Sequence, residues 1–520
     1  MEPTLKHKIG QMLLAGFPST AVDEQARRLI AEYEVGNFIL FARNFQSACQ
    51  TVELTAELSK LVYEKTGLAP FIGADQEGGI VCRVTEGAAM FSGAMAIAAN
   101  GSEEDAYAVG KNCGEILRAM GVNTNFAPVL DVNIEPLNPV IGTRSFGDVP
   151  AEVSRYGNAM LHGMQAGGLL CTVKHYPGHG NVKTDSHLAL PVNDTDPALL
   201  EKTEFLPFQG AFDAGAEALM SCHVRFDKID PDHPATLSKA ILTGLLRERQ
   251  GFDGLVVTDC MEMDAIRATV GTAEGAVQAV EAGCDILTIS HSFDAVAAAA
   301  QALYAAVESG RISEKRIEAS YRRILAAKKR RGLTVLPEIT VEKAQATLFD
   351  TEKIALHKRV AQGSVTLVSD SGGVAAFAAA KKPAFFAPVS YALSRVEDGE
   401  KVPNSFCAAA AERFGGTAVE LPLDRMDEGV EQAIAAADYD VAVVGLYNAR
   451  FREGQLNALR RLEASGKPLV VVALGGPYDA SYVRRADAVI AAYEYTPLSL
   501  NAVLDALAEG KFTGKMPTKL

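Results

Sequence analysis

The chain has 520 residues, 48% of them hydrophobic and 22% charged, with 50 Lys plus Arg against 64 Asp plus Glu and a formal net charge of −14. That length predicts two domains, each able to bury a core, and the acidity argues against a nucleic-acid partner, which needs a basic face. No run approaches a membrane span, and the opening MEPTLKHKIGQMLLAGF lacks an apolar h-region with a small-residue cleavage site, so no membrane partner and a cytoplasmic location are expected. The eight cysteines form no CxxC pair, which indicates small buried thiols in a reducing compartment, not a zinc ribbon or a disulfide scaffold.

In chain order, short apolar runs alternate with amphipathic helical stretches. The first block carries VGNFILFA (35–42), APFIGAD (69–75), NTNFAPVLDV (123–132), LLCTVKHY (169–176), EALMSCHV (217–224), GLVVTD (254–259) and CDILTIS (284–290). Helical patterns lie at 48–65, 103–120, 151–166, 198–214, 238–250, 293–309 and 313–331. Strands that are nearly all apolar belong in a parallel sheet covered on both faces. Seven or eight such units over residues 1–331 predict an α/β fold, a (β/α)8 TIM-like barrel or a near variant. Ionisable residues gather just past the run ends: Asp75 and Glu77, Asp131, Lys174 and His175, His223, and Asp259. A barrel brings all of these to one mouth.

The stretch 332–350 breaks the rhythm and reads as a linker. Over 351–520 the alternation resumes with SVTLVSD (364–370), PAFFAPV (383–389), TAVELPL (417–423), DVAVVGLY (440–447), PLVVVALGG (468–476) and AVIAAYEY (488–495), predicting an open α/β sandwich domain. A GxxxxGK[ST] loop is absent, and LGGP at 474–477 lacks the spacing of a nucleotide fingerprint.

The densest chemistry lies in VKHYPGHGNVKTDSHLALP (173–191), where Gly and Pro specify a shaped loop. Asp185 and His187, two apart, can share one side of an extended segment. A carboxylate on one imidazole nitrogen leaves the other to move a proton. His175, His179, Asp185 and His187 are metal ligands by type. The run VGNFILFAR, taken as the first strand, carries no HxH, so no metal is expected. Asp259, directly after an apolar strand, is either a mouth carboxylate or the N-cap of a following helix. Asp75 and Glu77 share a face if their strand continues, whereas the GlyGly that follows suggests a turn bending Glu77 away. Arg83 and Arg144 are loop cations suited to hydroxyls or carboxylates, or else surface salt-bridge partners.

These residues also resemble a known family. KHYPGHG followed by DSH is similar to the signature loop of bacterial β-N-acetylglucosaminidases in glycoside hydrolase family 3. GADQEGGIVCRV, APVLDV, IGTRSFG, SCHVRFDKIDPDHPATLS and GLVVTDCMEM resemble further landmarks of that family in order, and the ending EGKFTGKMPTKL loosely resembles the close of its two-domain members. The resemblance implies an exo-acting retaining β-N-acetylhexosaminidase with no cofactor. Asp259 would be the nucleophile and His187, partnered by Asp185, the acid/base. Asp75 would bind sugar hydroxyls, with Arg83, Arg144, Lys174 and His175 completing a pocket for a nonreducing terminal N-acetylglucosamine. Ile80 and Cys82 stand where an arginine and a polar residue are frequent in the family, and Cys222 replaces an alanine. The expected substrate is a peptidoglycan-derived or related oligosaccharide. Two alternatives stay open: a phosphorylase or β-glucosidase of the same family, and a metal-dependent hydrolase.

Overall fold

The computed structural model describes residues 3–186, 189–397, 403–424 and 428–520. His187 therefore lies outside the described residues.

Eight parallel strands form the first sheet: β1 (Leu13–Ala15), β2 (Asn37–Leu40), β3 (Phe71–Ala74), β4 (Thr124–Asn125), β5 (Leu170–Tyr176), β6 (Ala218–Ser221), β7 (Leu255–Thr258) and β8 (Leu287–Ile289). Each pairs with its chain neighbour, β8 returns to β1 through Leu13↔Leu287, and a parallel bridge between Val257 and Ile286 joins β7 to β8 and closes the ring. The barrel is the expected one, with its first strand earlier than read: VGNFILFA supplies β2. β1 is three residues directly after the helix Leu5–Met12, too short to stand out within a continuous apolar run.

The strands bury every position, as a sheet with helices outside and packed side chains inside requires. Where they are short, buried asparagines take over the ladder. Asn37 donates from Nδ2 to the Gln11 carbonyl at 2.7 Å and accepts the Phe71 N–H at 3.2 Å. Asn123 accepts the Ile72 N–H at 3.0 Å, and Asn125 accepts that of Gln76 at 2.9 Å. A buried amide with both a donor and an acceptor can satisfy backbone groups that a two-residue strand leaves unpaired.

The helices begin where their caps dictate. Ser47 accepts the Gln50 N–H ahead of Ala48–Thr66, and Ser292 and Ser313 do the same for Phe293–Glu308 and Glu314–Arg330. The predicted helix 198–214 is two, Pro197–Leu200 and Phe205–Asp213. After Arg330 the chain is irregular to Thr340, then forms the helix Val341–Leu348, whose Ala344 and Leu348 are buried with the barrel core.

The second sheet holds β9 (Thr366–Asp370), β10 (Pro383–Ala387), β11 (Thr417–Glu420), β12 (Val441–Leu446), β13 (Leu469–Ala473) and β14 (Ala488–Ala491) in the order β9-β14-β13-β12-β10-β11. Only the β9–β14 pairing is antiparallel. This sheet packs against the barrel through an apolar cluster of Met95, Ala96 and Ala99 with Tyr478, Ala491 and Tyr493. Asn133 Nδ2 donates to Tyr478 Oη at 2.6 Å, and Lys515 N–H returns the C-terminal segment to the Ala99 carbonyl at 2.9 Å. Among the described residues, no helix is long and apolar enough to cross a membrane.

Candidate active site

The C-terminal ends of the barrel strands surround a cavity of about 400 Å³. Its lining includes Asp75, Arg83, Arg144, Lys174, His175, His179 and Asp259. Asp259 directly follows β7, and one of its carboxylate oxygens accepts the Cys260 N–H at 2.7 Å, which fixes the plane of the group. It stands at the mouth, not as the cap of a helix, since the next helix begins at Asp264.

Across the cavity lies a buried ionic network. Lys174 Nζ sits between Asp75 Oδ1 at 2.7 Å and Glu77 Oε1 at 2.6 Å. Arg144 grips Glu77 with two parallel hydrogen bonds, Nε to Oε2 and Nη2 to Oε1, both 2.8 Å. Arg83 Nη2 reaches Asp75 Oδ2 at 3.3 Å. Neither arginine is a surface salt bridge: each is 4% exposed.

Glu77 corrects the expectation that GlyGly turns it away. Strand β3 ends at Ala74, so Asp75 and Glu77 lie in the following loop, and both return to the same lysine. Burial alone would raise both carboxyls. Around Asp75 the charges of Lys174 and Arg83 outweigh burial and lower it, and around Glu77 those of Arg144 and Lys174 do so strongly. Both stay ionised, and Arg144 is held charged by Glu77 in turn.

The loop after β5 is anchored on Asp131, which is fully buried. Asp131 Oδ2 takes His175 Nδ1 at 2.6 Å, and Oδ1 takes the His179 N–H at 2.6 Å. With its Nδ1–H on Asp131, His175 presents Nε2 to Arg144 Nη2 at 3.4 Å. Burial, reinforced by the neighbouring His175, lowers His179 to about 4, so it is neutral near pH 7. Its Nε2 meets Ser186 Oγ at 2.9 Å. The Lys174–His175 and Tyr176–Pro177 peptides in this loop are cis. Asp185 is buried in the same loop, while its expected partner His187 is outside the described residues. His175 and His179 are thus committed to Asp131 and Ser186, not gathered as metal ligands.

Sequence reasoning missed two contributors. In the sequence Asp131 is only one of several polar run ends, because its neighbours His175 and His179 are 44 and 48 residues away. Arg395 and Val396 of the second domain also line the cavity, and the Val396 carbonyl accepts Arg83 Nη1 at 2.9 Å. A contact spanning 313 residues leaves no local pattern to read.

The site is thus a charged cavity at the C-terminal mouth of a parallel barrel, lined in part by a second α/β domain. Residues 4–327 match the model of the glycosyl hydrolase family 3 N-terminal domain. A β-N-acetylglucosaminidase of that family from a Paenibacillus species superposes with a TM-score of 0.91 at 37% identity, over 99% of each chain. The β-hexosaminidase A of Pseudoalteromonas piscicida is 33% identical over 68% of this chain and 62% of its own length. The β-hexosaminidase of Xylella fastidiosa is 37% identical over 54% of this chain and 83% of its own. The chain belongs to glycosyl hydrolase family 3, in the branch that holds the bacterial β-hexosaminidases.

Proposed function

We propose that this chain is an exo-acting, retaining β-N-acetylglucosaminidase that removes a nonreducing terminal N-acetylglucosamine from peptidoglycan-derived or related oligosaccharides in the cytoplasm. The observation that carries this reading is a single cavity in which Asp259 faces the Asp75–Lys174–Glu77–Arg144 network. We assign residues 1–331 to the catalytic barrel, 332–350 to the connection and 351–520 to the domain that caps the mouth.

Asp259 attacks the anomeric carbon as the bond to the leaving oxygen breaks, giving a glycosyl-enzyme. The hydrogen bond from Cys260 N–H holds the attacking carboxylate in position. His187, oriented by Asp185, protonates the leaving oxygen and then takes a proton from the incoming water. An imidazole with an ordinary value of about 6.5 suits a group that must give and then take a proton near neutrality. His175 does not take this role, since both of its ring nitrogens are engaged, by Asp131 and Arg144. Asp75 accepts from sugar hydroxyls, and Arg83, Arg144, Lys174 and His175 hold the ring over Asp259.

The test compares release of p-nitrophenol from its β-N-acetylglucosaminide and its β-glucoside. A strong preference for the acetamido sugar, abolished in Asp259→Ala, is expected. His187→Ala should slow substrates with poor leaving groups far more than activated ones; equal losses exclude it as the acid. Preference for the glucoside, or activity surviving in Asp259→Ala, overturns the assignment. Running the reaction in phosphate and looking for a sugar 1-phosphate separates hydrolysis from phosphorolysis.

A further inference from the structure

Among the described residues, one thiol, one carboxylate and one imidazole gather where a metal ion could be held. They are Cys260, Glu262 and His291, with ligand atoms all within 4.8 Å of one another. They come from the ends of the adjacent strands β7 and β8 and line the same cavity as Asp259. None belongs to the network assigned above to sugar binding.

The set is held in place from several sides. Glu262 Oε2 accepts the His291 backbone N–H at 2.7 Å, tying the carboxylate to the strand that carries the imidazole. The His291 ring packs against Phe41, with centroids 5.1 Å apart. The Ser290 hydroxyl is fully buried beside the Cys260 thiol and has no other hydrogen-bond partner among the described residues.

We propose that Cys260, Glu262 and His291 form a site for a soft divalent cation of the zinc type, and that its occupation blocks substrate entry. A thiolate with an imidazole selects zinc-class ions over magnesium or calcium. In a tetrahedral zinc site neighbouring donors lie about 3.5 Å apart. Closing from 4.8 Å to that spacing requires the exposed His291 and half-buried Glu262 side chains to turn toward Cys260. Binding releases the thiol proton to solvent. Three protein ligands leave the fourth position open toward the cavity. An ion there sits one residue from Asp259 in the space a sugar must cross.

The test uses the full chain. Cobalt(II) titration should give a thiolate-to-cobalt charge-transfer absorption with one ion bound per chain, lost in Cys260→Ser. Equilibrium dialysis with zinc should show affinity weakened by at least about tenfold in Cys260→Ser and in His291→Ala. Zinc should inhibit aryl β-N-acetylglucosaminide turnover, with the inhibitory concentration raised by a like factor in both variants. No charge-transfer band, or equal zinc affinity in parent and variants, overturns the site. A band without inhibition overturns the block on substrate. The cobalt and dialysis readouts stand even if the glycosidase assay fails, so the two readings fall separately.

Discussion

Glu77 illustrates what a single carboxylate does when it is buried between cations. It neither lines the cavity nor touches a reacting group, yet it holds Arg144 and Lys174, which do line it. Removing one partner of a buried ion pair leaves an uncompensated charge, a loss of about 3–5 kcal/mol. Glu77→Ala should therefore lower the unfolding free energy obtained from urea titration by an amount of that order. It should also cost roughly 10²-fold in kcat/KM, because Arg144 and Lys174 lose the anchor that positions them. Glu77→Gln keeps the shape and loses the charge, so it should fall between parent and alanine on both measures. An alanine variant with unaltered stability would mean that the network does not hold the site. At this scale the sequence placed Asp75, Lys174 and Asp259 at run ends, and the structure brings all three to one cavity. It concealed the direction of Glu77, because the pair of glycines could equally turn the carboxylate away or, as found, let the loop fold back onto the lysine.

At the scale of elements, the turn carrying Gly78 and Gly79 is where the barrel meets the second domain. Gly79 adopts φ +59°, and a methyl group there would overlap Glu494 Oε2 and lie 3.0 Å from the Gly93 backbone. Glu494 follows β14 and accepts the Gly93 N–H at 2.9 Å, so its carboxylate pins the two domains together. Gly79→Ala pays backbone strain and displaces that carboxylate. Gly101, at φ +78° with open space around it, pays the strain alone. Each should lose about 1 kcal/mol or more from strain, with a further 1–3 kcal/mol from overpacking in Gly79→Ala only. Equal melting temperatures for the two variants would show that Glu494 yields freely. The elements themselves were largely legible. Long apolar runs became β5, β12 and β13. What escaped was short. β1 has three residues and β4 two, their missing ladder bonds supplied by Asn37, Asn123 and Asn125, and no periodicity can be read from so few positions. The run 123–132 predicted a longer strand than β4, but beyond Asn125 the chain passes a cis Ala127–Pro128 peptide and rejoins β5 through the Leu130 N–H to the Lys174 carbonyl at 2.6 Å.

For the molecule as a whole, the junction between helix Thr351–Ser364 and the barrel makes stability depend on pH. His357 of that helix is 1% exposed, packs its ring against Phe91 at 5.7 Å and approaches Asn112 Nδ2 at 3.5 Å. Burial lowers it to about 4, against backbone hydrogen bonds that favour its charged form. In the unfolded chain its value is about 6.5. Between these values the unfolded state binds the proton and the folded state does not. Stability is therefore full above pH 6.5 and is lost as pH falls toward 4, at up to about 1.4 kcal/mol per pH unit for this group. His179 at the active site behaves with the same sign. The lowered carboxyls Asp75 and Asp131 add their losses only below the ordinary carboxylate range. Denaturant midpoints of the parent should thus fall steadily from pH 6.5 to 4.5. His357→Gln keeps a polar group opposite Asn112 but cannot take up a proton, and it should flatten that slope while leaving the contribution of His179. Parallel slopes in parent and variant would mean that His357 is hydrated or charged in the folded protein, and that the junction with the barrel is looser than its packing against Phe91 indicates.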